Sequence, residues 1–292
     1  MPELPEVQTV VSDLQKVLPG KKIEDIWVGW KKSIKHPKTS ELFKKQLIGK
    51  KFLSAARVGK NILLYLSGNT TLLIHQKMTG HMLYGKWKVK NGKWNAVGAG
   101  PHRDDPYNRF LRMVFSLSNG KQLALCDMRK FAKVLTWPTS DLGKLPDIKD
   151  LGPDPTNKEF DFKKFKEVIG SKRGKIKQTL MDQNIIAGIG NIYTGEILWQ
   201  ADVHPFARVE KLKDKKLKDI FKAVKPILTK SIKMRGTSSS DFRDASGNKG
   251  SFQKYLKVYK KEGEECAKKD GGIIKRVKFG GRSSHFCPVH QK

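Results

Sequence analysis

Three things are scarce in this sequence, and each scarcity excludes something. Cysteine occurs three times in 292 residues, as Cys126, Cys266 and Cys287. That is no disulfide framework, and it suits a reducing cytosol. Two of the three lie near the C-terminus, which hints at metal ligation instead. Long apolar runs are missing, and no signal peptide opens the chain, so membrane insertion is excluded. Acidic residues are few: 28 Asp and Glu stand against 59 Lys and Arg, for a net charge of +31. An excess of that size predicts a polyanionic partner, and with membrane insertion excluded the leading partner is nucleic acid. The length predicts two domains rather than one, each with room for a true core.

What is present begins at the first six residues, Met1-Pro2-Glu3-Leu4-Pro5-Glu6. Once Met1 is excised, Pro2 becomes a free secondary amine. An α-amino group has a reference pKa roughly 2–3 units below that of a lysine side chain, so much more of it is unprotonated near neutrality. It is a usable nucleophile toward an aldehyde or a sugar C1′. Glu3, one residue away, is a natural general acid/base. The plainer account is that Pro2 only permits methionine excision and Pro5 starts a helix.

Leu4 to Leu18 reads as that helix, with Val7, Val10, Val11, Leu14 and Leu18 recurring at three- and four-residue spacing. Residues 22–137 are β-rich, with candidate strands Lys22–Trp30, Lys51–Val58, Ile62–Leu66, Thr71–His75, Phe110–Leu117, Gln122–Asp127 and Lys133–Trp137, the pattern of a sandwich or barrel. Residues 86–108 are polar and Gly-rich and read as a long, mobile loop. Prolines 138, 146, 153 and 155 mark a linker over 138–155. Helical patterns follow at Phe160–Ile169, Ile176–Gln183, near Gly190-Asn191, and at Leu217–Met234, where Pro226 should kink or divide the helix. Residues 235–251 form a Gly/Ser loop too small and polar to pack. The expected organisation is α+β and multidomain: a helix and β-rich unit over 1–137, a linker over 138–155, a helical unit with its loop over 156–251, and short strand-like pieces around two cysteines over 252–292.

Three constellations carry possible chemistry. The run Gln183-Asn184-Ile185-Ile186-Ala187-Gly188-Ile189-Gly190-Asn191 joins two helices through a glycine-punctuated turn. Backbone N–H groups at such a helix start make a phosphate seat, and Asn191 adds a side-chain donor; a simple cap between helices is the alternative. Met78 in HQKMTG, with Arg129 and Phe131 in DMRKFA, sits at strand ends. Exposed side chains of this kind fill the hole that an everted base leaves in a duplex, although buried Met and Phe with a solvated Arg is the commoner arrangement. In the tail, Cys266 precedes Cys287-Pro288-Val289-His290. This has the flavour of a zinc finger, but Lys269 cannot be the missing ligand, and Asp270 and His285 are the nearest alternatives.

The stretches MPELPEVQTV, RVGKNILL, HQKMTG, IKQTLMDQNIIAGIGNIYTGEIL and GGRSSHFCPVHQ resemble, in the same order and across essentially the whole chain, the bacterial formamidopyrimidine-DNA glycosylases. The resemblance implies an N-terminal helix and β-sandwich joined to a helix-two-turn-helix domain with a β-hairpin zinc finger, and duplex DNA bound between them, so that 1–137 is a catalytic unit, 156–251 a DNA-binding unit and 252–292 a β-hairpin element. It implies a monomeric cytoplasmic base-excision repair enzyme, both hydrolase and lyase, that removes 8-oxoguanine and formamidopyrimidines. Pro2 matches the Schiff-base nucleophile and Glu3 the acid/base. Lys60, His75, Asn191 and Arg282 match phosphate contacts, and Lys177 falls among the DNA-binding positions. Met78, Arg129 and Phe131 match the void-filling trio. Glu6 and the loop residues Thr237, Ser238, Ser239 and Ser240 match positions lining the lesion pocket. Cys266, Cys287 and His290 match ligands of one structural zinc ion, with Asp270 or His285 as the fourth.

The sequence departs from the family pattern in four places. Gln8 replaces a usual Glu, with little effect expected. Met128, Lys130 and Ala132 replace Pro, Arg and Gly around the retained Arg129 and Phe131, which puts the stiffness of that loop in question. Residues 86–108 exceed the usual length. Lys269 and His290 replace two ligand cysteines. The sister endonuclease VIII family, which removes oxidised pyrimidines, begins MPEGPE, and Leu4 argues against it. A non-catalytic DNA-binding protein of the same fold would have no need of the Pro2-Glu3 pair.

Overall fold

The structure, a computed structural model, describes residues 1–292 and divides into two compact units, Met1–Lys149 with Met234–Ser251, and Asp150–Lys233 with Phe252–Lys292. No helix is long and apolar enough to cross a membrane.

The first unit opens with helix α1 (Leu4–Val17), which has Pro5 in its first turn and buries Val7, Val10, Val11 and Leu14. The strands are β1 (Ile23–Val28), β2 (Ile34–His36), β3 (Phe52–Val58), β4 (Asn61–Leu66), β5 (Thr70–His75), β6 (Gly80–Gly85), β7 (Trp87–Lys90), β8 (Lys93–Ala96), β9 (Leu111–Leu117), β10 (Gln122–Asp127) and β11 (Lys133–Pro138). Helices α2 (Ser40–Leu47), α3 (Pro101–Asp104) and α4 (Pro146–Lys149) complete it. One sheet runs β1-β9-β10-β6 and another β2-β11-β5-β4-β3. Strand alternation directs Ile62, Leu64 and Leu66 of β4, and Met113, Phe115, Leu123 and Leu125 of β9 and β10, into one core shared with α1.

The opposite faces are covered as well. Leu63, Leu73 and Leu135 pack with Leu142, Leu145 and Ile148. Leu83, Val114, Ala124 and Cys126 pack under Trp87, Trp94 and Phe110. Residues 86–108 are therefore not a loose loop. They form the β7–β8 hairpin, α3 and a 3-10 turn at Pro106–Arg109, because Trp87, only 4% exposed, and Trp94 bring enough apolar surface to cap an otherwise bare sheet face.

The second unit holds α5 (Phe162–Gly170), α6 (Ile176–Met181), α7 (Asn191–Gln200), α8 (Asp214–Lys233) and the hairpin of β12 (Lys275–Phe279) and β13 (Arg282–Phe286). Asp161 caps α5 by accepting from the Lys164 N–H at 2.7 Å. Pro226 does not divide α8, which is assigned as one helix around it, with Leu217, Ile220, Val224 and Leu228 buried. The loop that follows α8 belongs with the first unit, not with the helices before it. It is not too polar to pack: Phe242 and Ala245 enter the sandwich core.

Candidate DNA-repair active site

Pro2 and Glu3 are both buried at the start of α1, while Met1 is 37% exposed. Glu3 and Glu6 form a reciprocal capping box, in which the Glu3 N–H donates to Glu6 Oε2 at 2.9 Å. The other Glu6 oxygen accepts from the Thr237 N–H at 2.7 Å. Glu6 thus joins the first turn of α1 to the loop. Gly236 permits the approach: its φ is +79°, and a Cβ there would lie 2.9 Å from the Glu6 side chain. Burial lowers the pKa of the chain's α-amino group, while Glu3, Glu6 and Asp241 oppose the shift and Lys60 adds to it. The Met1 nitrogen, two carboxylates, a loop aspartate and a lysine therefore share one electrostatic site.

Lys60 is 6% exposed, at the β3–β4 turn. The Arg57 guanidinium braces that turn, donating to Gly59 O at 3.0 Å and to Gln8 Oε1 at 2.9 Å. Gln8 thus serves as a neutral acceptor for the turn that carries Lys60. His75 ends β5. Its Nδ1 accepts from the Lys77 N–H at 3.0 Å, which leaves Nε2 as the protonated donor of the neutral ring. Burial and the nearby Lys77, Lys133 and Lys60 push its pKa down to about 3.

Met78 lies in the turn before β6, and Arg129 and Phe131 lie in the turn between β10 and β11. The Asp127 carboxylate accepts from the Thr79 hydroxyl and from the Ala132 N–H, and Thr79 Oγ1 accepts from the Arg129 N–H at 3.0 Å. This cross-tie joins the HQKMTG turn to the DMRKFA turn and supplies stiffness despite the unusual residues around Arg129. Gly80 is needed at the junction, since a Cβ there would meet Gln76 O at 2.4 Å. Arg129 and Phe131 are exposed, with the guanidinium 4.7 Å from the ring centroid, and Met78 is half-buried. The commoner reading, a buried Phe, does not hold here.

In the second unit, Gln183 braces the turn between α6 and α7. Its amide donates to Met181 O and Ile189 O at 2.7 and 2.8 Å, and its oxygen accepts from the Gly188 N–H at 2.9 Å. Asn191 stands at the first turn of α7, and its Oδ1 has no partner. Asn191 and Arg282 line one cleft of about 560 Å³ with Lys260, Arg276 and His285. Lys177 is buried in α6 and donates to Ser283 O at 3.2 Å, which ties the hairpin to that helix.

The C-terminal cluster settles on Cys266, Asp270, Cys287 and His290, whose ligand atoms all lie within 4.8 Å of one another. His290 Nδ1 is 2.5 Å from Asp270 Oδ2, and Cys266 Sγ is 3.6 Å from His290 Nδ1. Lys269 adopts a left-handed φ of +54°, which turns the chain so that Asp270, one residue later, faces the site. His285 is excluded from this set: it packs against Tyr259 at 5.4 Å and lines the Asn191 cleft. Two thiols, an imidazole and a carboxylate fit the tetrahedral donor set of a divalent ion such as zinc. Supporting bonds hold them. The Cys287 N–H donates to Gln291 Oε1 at 2.8 Å, and the Gln291 amide donates to Val203 O at 2.9 Å. Cys126 stands apart, its thiol pushed up to about 12 by burial.

A helix-capped sandwich with Pro2 buried at the helix start, followed by a helix-two-turn-helix unit and a hairpin flanked by cysteines, defines the class of base-excision repair DNA glycosylases. Residues 1–134 match the formamidopyrimidine-DNA glycosylase N-terminal domain, and residues 151–243 match the formamidopyrimidine-DNA glycosylase H2TH domain. The chain belongs to the formamidopyrimidine-DNA glycosylase family. It is 39% identical over 292 residues to the formamidopyrimidine-DNA glycosylase of Pelotomaculum thermopropionicum, covering 100% of this chain and 99% of that one. The Bacillus cereus formamidopyrimidine-DNA glycosylase is 32% identical over 292 residues, again covering 100% and 99%. Among solved structures, the complex of the Lactococcus lactis enzyme with DNA containing an abasic site superposes with a TM-score of 0.86 at 32% identity, covering 99% of each chain.

Proposed function

We propose that this chain excises oxidised purines, 8-oxoguanine and formamidopyrimidines, from duplex DNA and then cleaves the strand at the resulting abasic site. The observation that carries this reading is the buried Pro2–Glu3 turn, wired through Glu6 to the Thr237 loop with Lys60 in the same electrostatic site. Removal of Met1 exposes the Pro2 nitrogen. That nitrogen attacks C1′ of the everted nucleotide, and the C1′–base bond breaks, so the base leaves with its bonding pair. Glu3 protonates the sugar ring oxygen as the ring opens. The resulting iminium acidifies the 2′ proton; its removal expels the 3′ phosphate, and a second elimination expels the 5′ phosphate. Addition of water to the iminium carbon releases the sugar remnant as an aldehyde and returns Pro2 as the free amine.

The other residues hold the DNA. Neutral His75 offers Nε2–H to a phosphate, and Lys60 offers an ammonium. Asn191, Lys177 and Arg282 supply donors from the second unit. Met78, Arg129 and Phe131 enter the vacated stack, and Ser238, Ser239 and Ser240 border the everted base. Zinc held by Cys266, Asp270, Cys287 and His290 would fix the hairpin that carries Arg282, supplying structure and no step of the reaction. The enzyme acts in the cytosol, where chromosomal DNA and reduced thiols coexist.

Borohydride reduction tests the proposal. Protein shown by mass to lack Met1 should be trapped covalently on abasic-site DNA, and Pro2→Gly should weaken trapping. Glu3→Gln should abolish base release with DNA binding near normal. Absence of an adduct overturns the enzyme reading, and preferred cutting at an oxidised pyrimidine overturns the substrate assignment.

A further inference from the structure

The 238–241 arch of the loop after α8 is gripped at its two ends, and only one of these grips is Glu6; Asp13 and Asn108 hold the loop elsewhere, at Arg235 and Gly247. At the other end of the arch, Arg243 is buried to 1% exposure. Its Nε donates to Asp105 Oδ2 at 2.7 Å and its Nη2 to Asp105 Oδ1 at 3.2 Å. Its remaining Nη1 donates to Ser240 O at 3.0 Å and to Phe242 O at 2.8 Å. The guanidinium lies 4.9 Å from the Tyr107 ring centroid. Two planar forks are satisfied at once: one by a carboxylate outside the loop, the other by carbonyls within it. Asp105 belongs to the 86–108 segment and is itself fixed, accepting from the Tyr107 N–H at 2.9 Å. Nearby, fully buried Asn108 donates to Gly247 O at 3.1 Å and meets His81 Nε2 at 3.0 Å.

The arch Ser238–Asp241 therefore spans two anchors, Thr237 on Glu6 and Arg243 on Asp105. Asp241, on that arch, contributes to the field at the terminal amine. Moving the Arg243 end would shift the Ser240 carbonyl directly and, along the arch, disturb the Thr237 hydrogen bond to Glu6.

We infer that Asp105 is a positioning residue for base excision: through Arg243 it holds the 238–241 arch at the height an everted oxidised purine requires. The inference rests on the proposed function. It also gives the 86–108 segment a role beyond covering the sheet. A buried arginine would otherwise be an expensive way to hold a surface loop, since its charge must be matched in full. Base release needs the arch, because a base must be gripped outside the stack. Strand cleavage at a preformed abasic site does not, because no base is left to grip.

The experiment compares the two reactions in the full-length protein lacking Met1. Asp105→Ala should slow single-turnover release of 8-oxoguanine tenfold or more, while incision of abasic-site DNA changes less than threefold. Asp105→Glu should restore much of the loss, and Arg243→Lys, which cannot form both forks, should not. Brief trypsin treatment of Asp105→Ala should cut at Arg235 or Lys249 faster than in the parent. Asp105→Asn, which keeps the shape and one acceptor, serves if the alanine variant is poorly folded, and should show the same selective loss in smaller degree. Equal loss of both reactions, or no loss of either in a parent that releases base, overturns the inference. A parent that releases no base from any lesion duplex refutes the proposed function instead.

Discussion

Replacing Glu6 by glutamine tests whether one carboxylate joins the reactive terminus to the loop. Glu6 is 1% exposed and uses its two oxygens separately, Oε2 for the Glu3 N–H and Oε1 for the Thr237 N–H. The amide keeps one acceptor and turns a donor toward the other N–H. A hydrogen bond to a charged acceptor contributes about 1.5–3 kcal/mol, and a buried donor left without a partner costs a similar amount. Loss of charge at the first turn of α1 removes about 0.3–1 kcal/mol of favourable interaction with the helix dipole. The lost bond and its orphaned donor are one effect, counted once, so with the dipole contribution the total is about 2–4 kcal/mol, which lowers Tm by roughly 4–16 °C at about 2–4 °C per kcal/mol for a unit of this size. Circular dichroism melts of Glu6→Gln and the parent at pH 7 measure it. Base release should fall with it, since Glu3 loses its brace. A Tm within about 1 °C of the parent refutes the wiring.

Three further outcomes follow from other parts of the molecule. His75 and His81 have pKa values depressed, chiefly by burial, to about 3 and about 4. The unfolded chain therefore takes up protons below about pH 6.5 that the folded chain refuses, so their contribution to stability is lost as pH falls from about 6.5 toward 4 and 3. NMR should show both rings neutral at pH 5.5, and a ring titrating near 6.5 contradicts the packing. Purified protein should carry one zinc by elemental analysis, Asp270→Ala should lose most of it, and His285→Ala should keep it; the reverse pattern rejects the ligand set. DNA affinity should fall with salt at a log–log slope of about −0.9 per phosphate neutralised, and Arg282→Ala should reduce the slope by about one. An unchanged slope removes Arg282 from the phosphate contacts.

Some of this was legible in the residue string because the relevant physics is local. The valine and leucine spacing of α1 specifies a helix, and β10 appears in the sequence with the bounds it has in the structure, Gln122–Asp127. The Pro2–Glu3 pair is chemistry held in adjacent residues. The short strand β2, the helix α2 and the hairpin β7–β8 were not legible, since Trp87 and Trp94 look like isolated aromatics until the sheet face they cover exists. The same holds for the metal cluster. Residue spacing offered both Asp270 and His285, and only the folded tail brings Asp270 beside Cys266, Cys287 and His290 while His285 packs against Tyr259.

The sequence by itself pointed to the polyanionic partner, through +31 net charge, and offered the proposed nucleophile, a proline behind the initiator methionine. Tertiary structure alone decided what steadies that nucleophile. Glu6 meets Thr237 across 231 positions of chain, and Asp105 meets Arg243 across 138. Contacts so distant in sequence leave no periodicity or spacing to read. They exist only once burial has removed water and made each charge seek a particular partner.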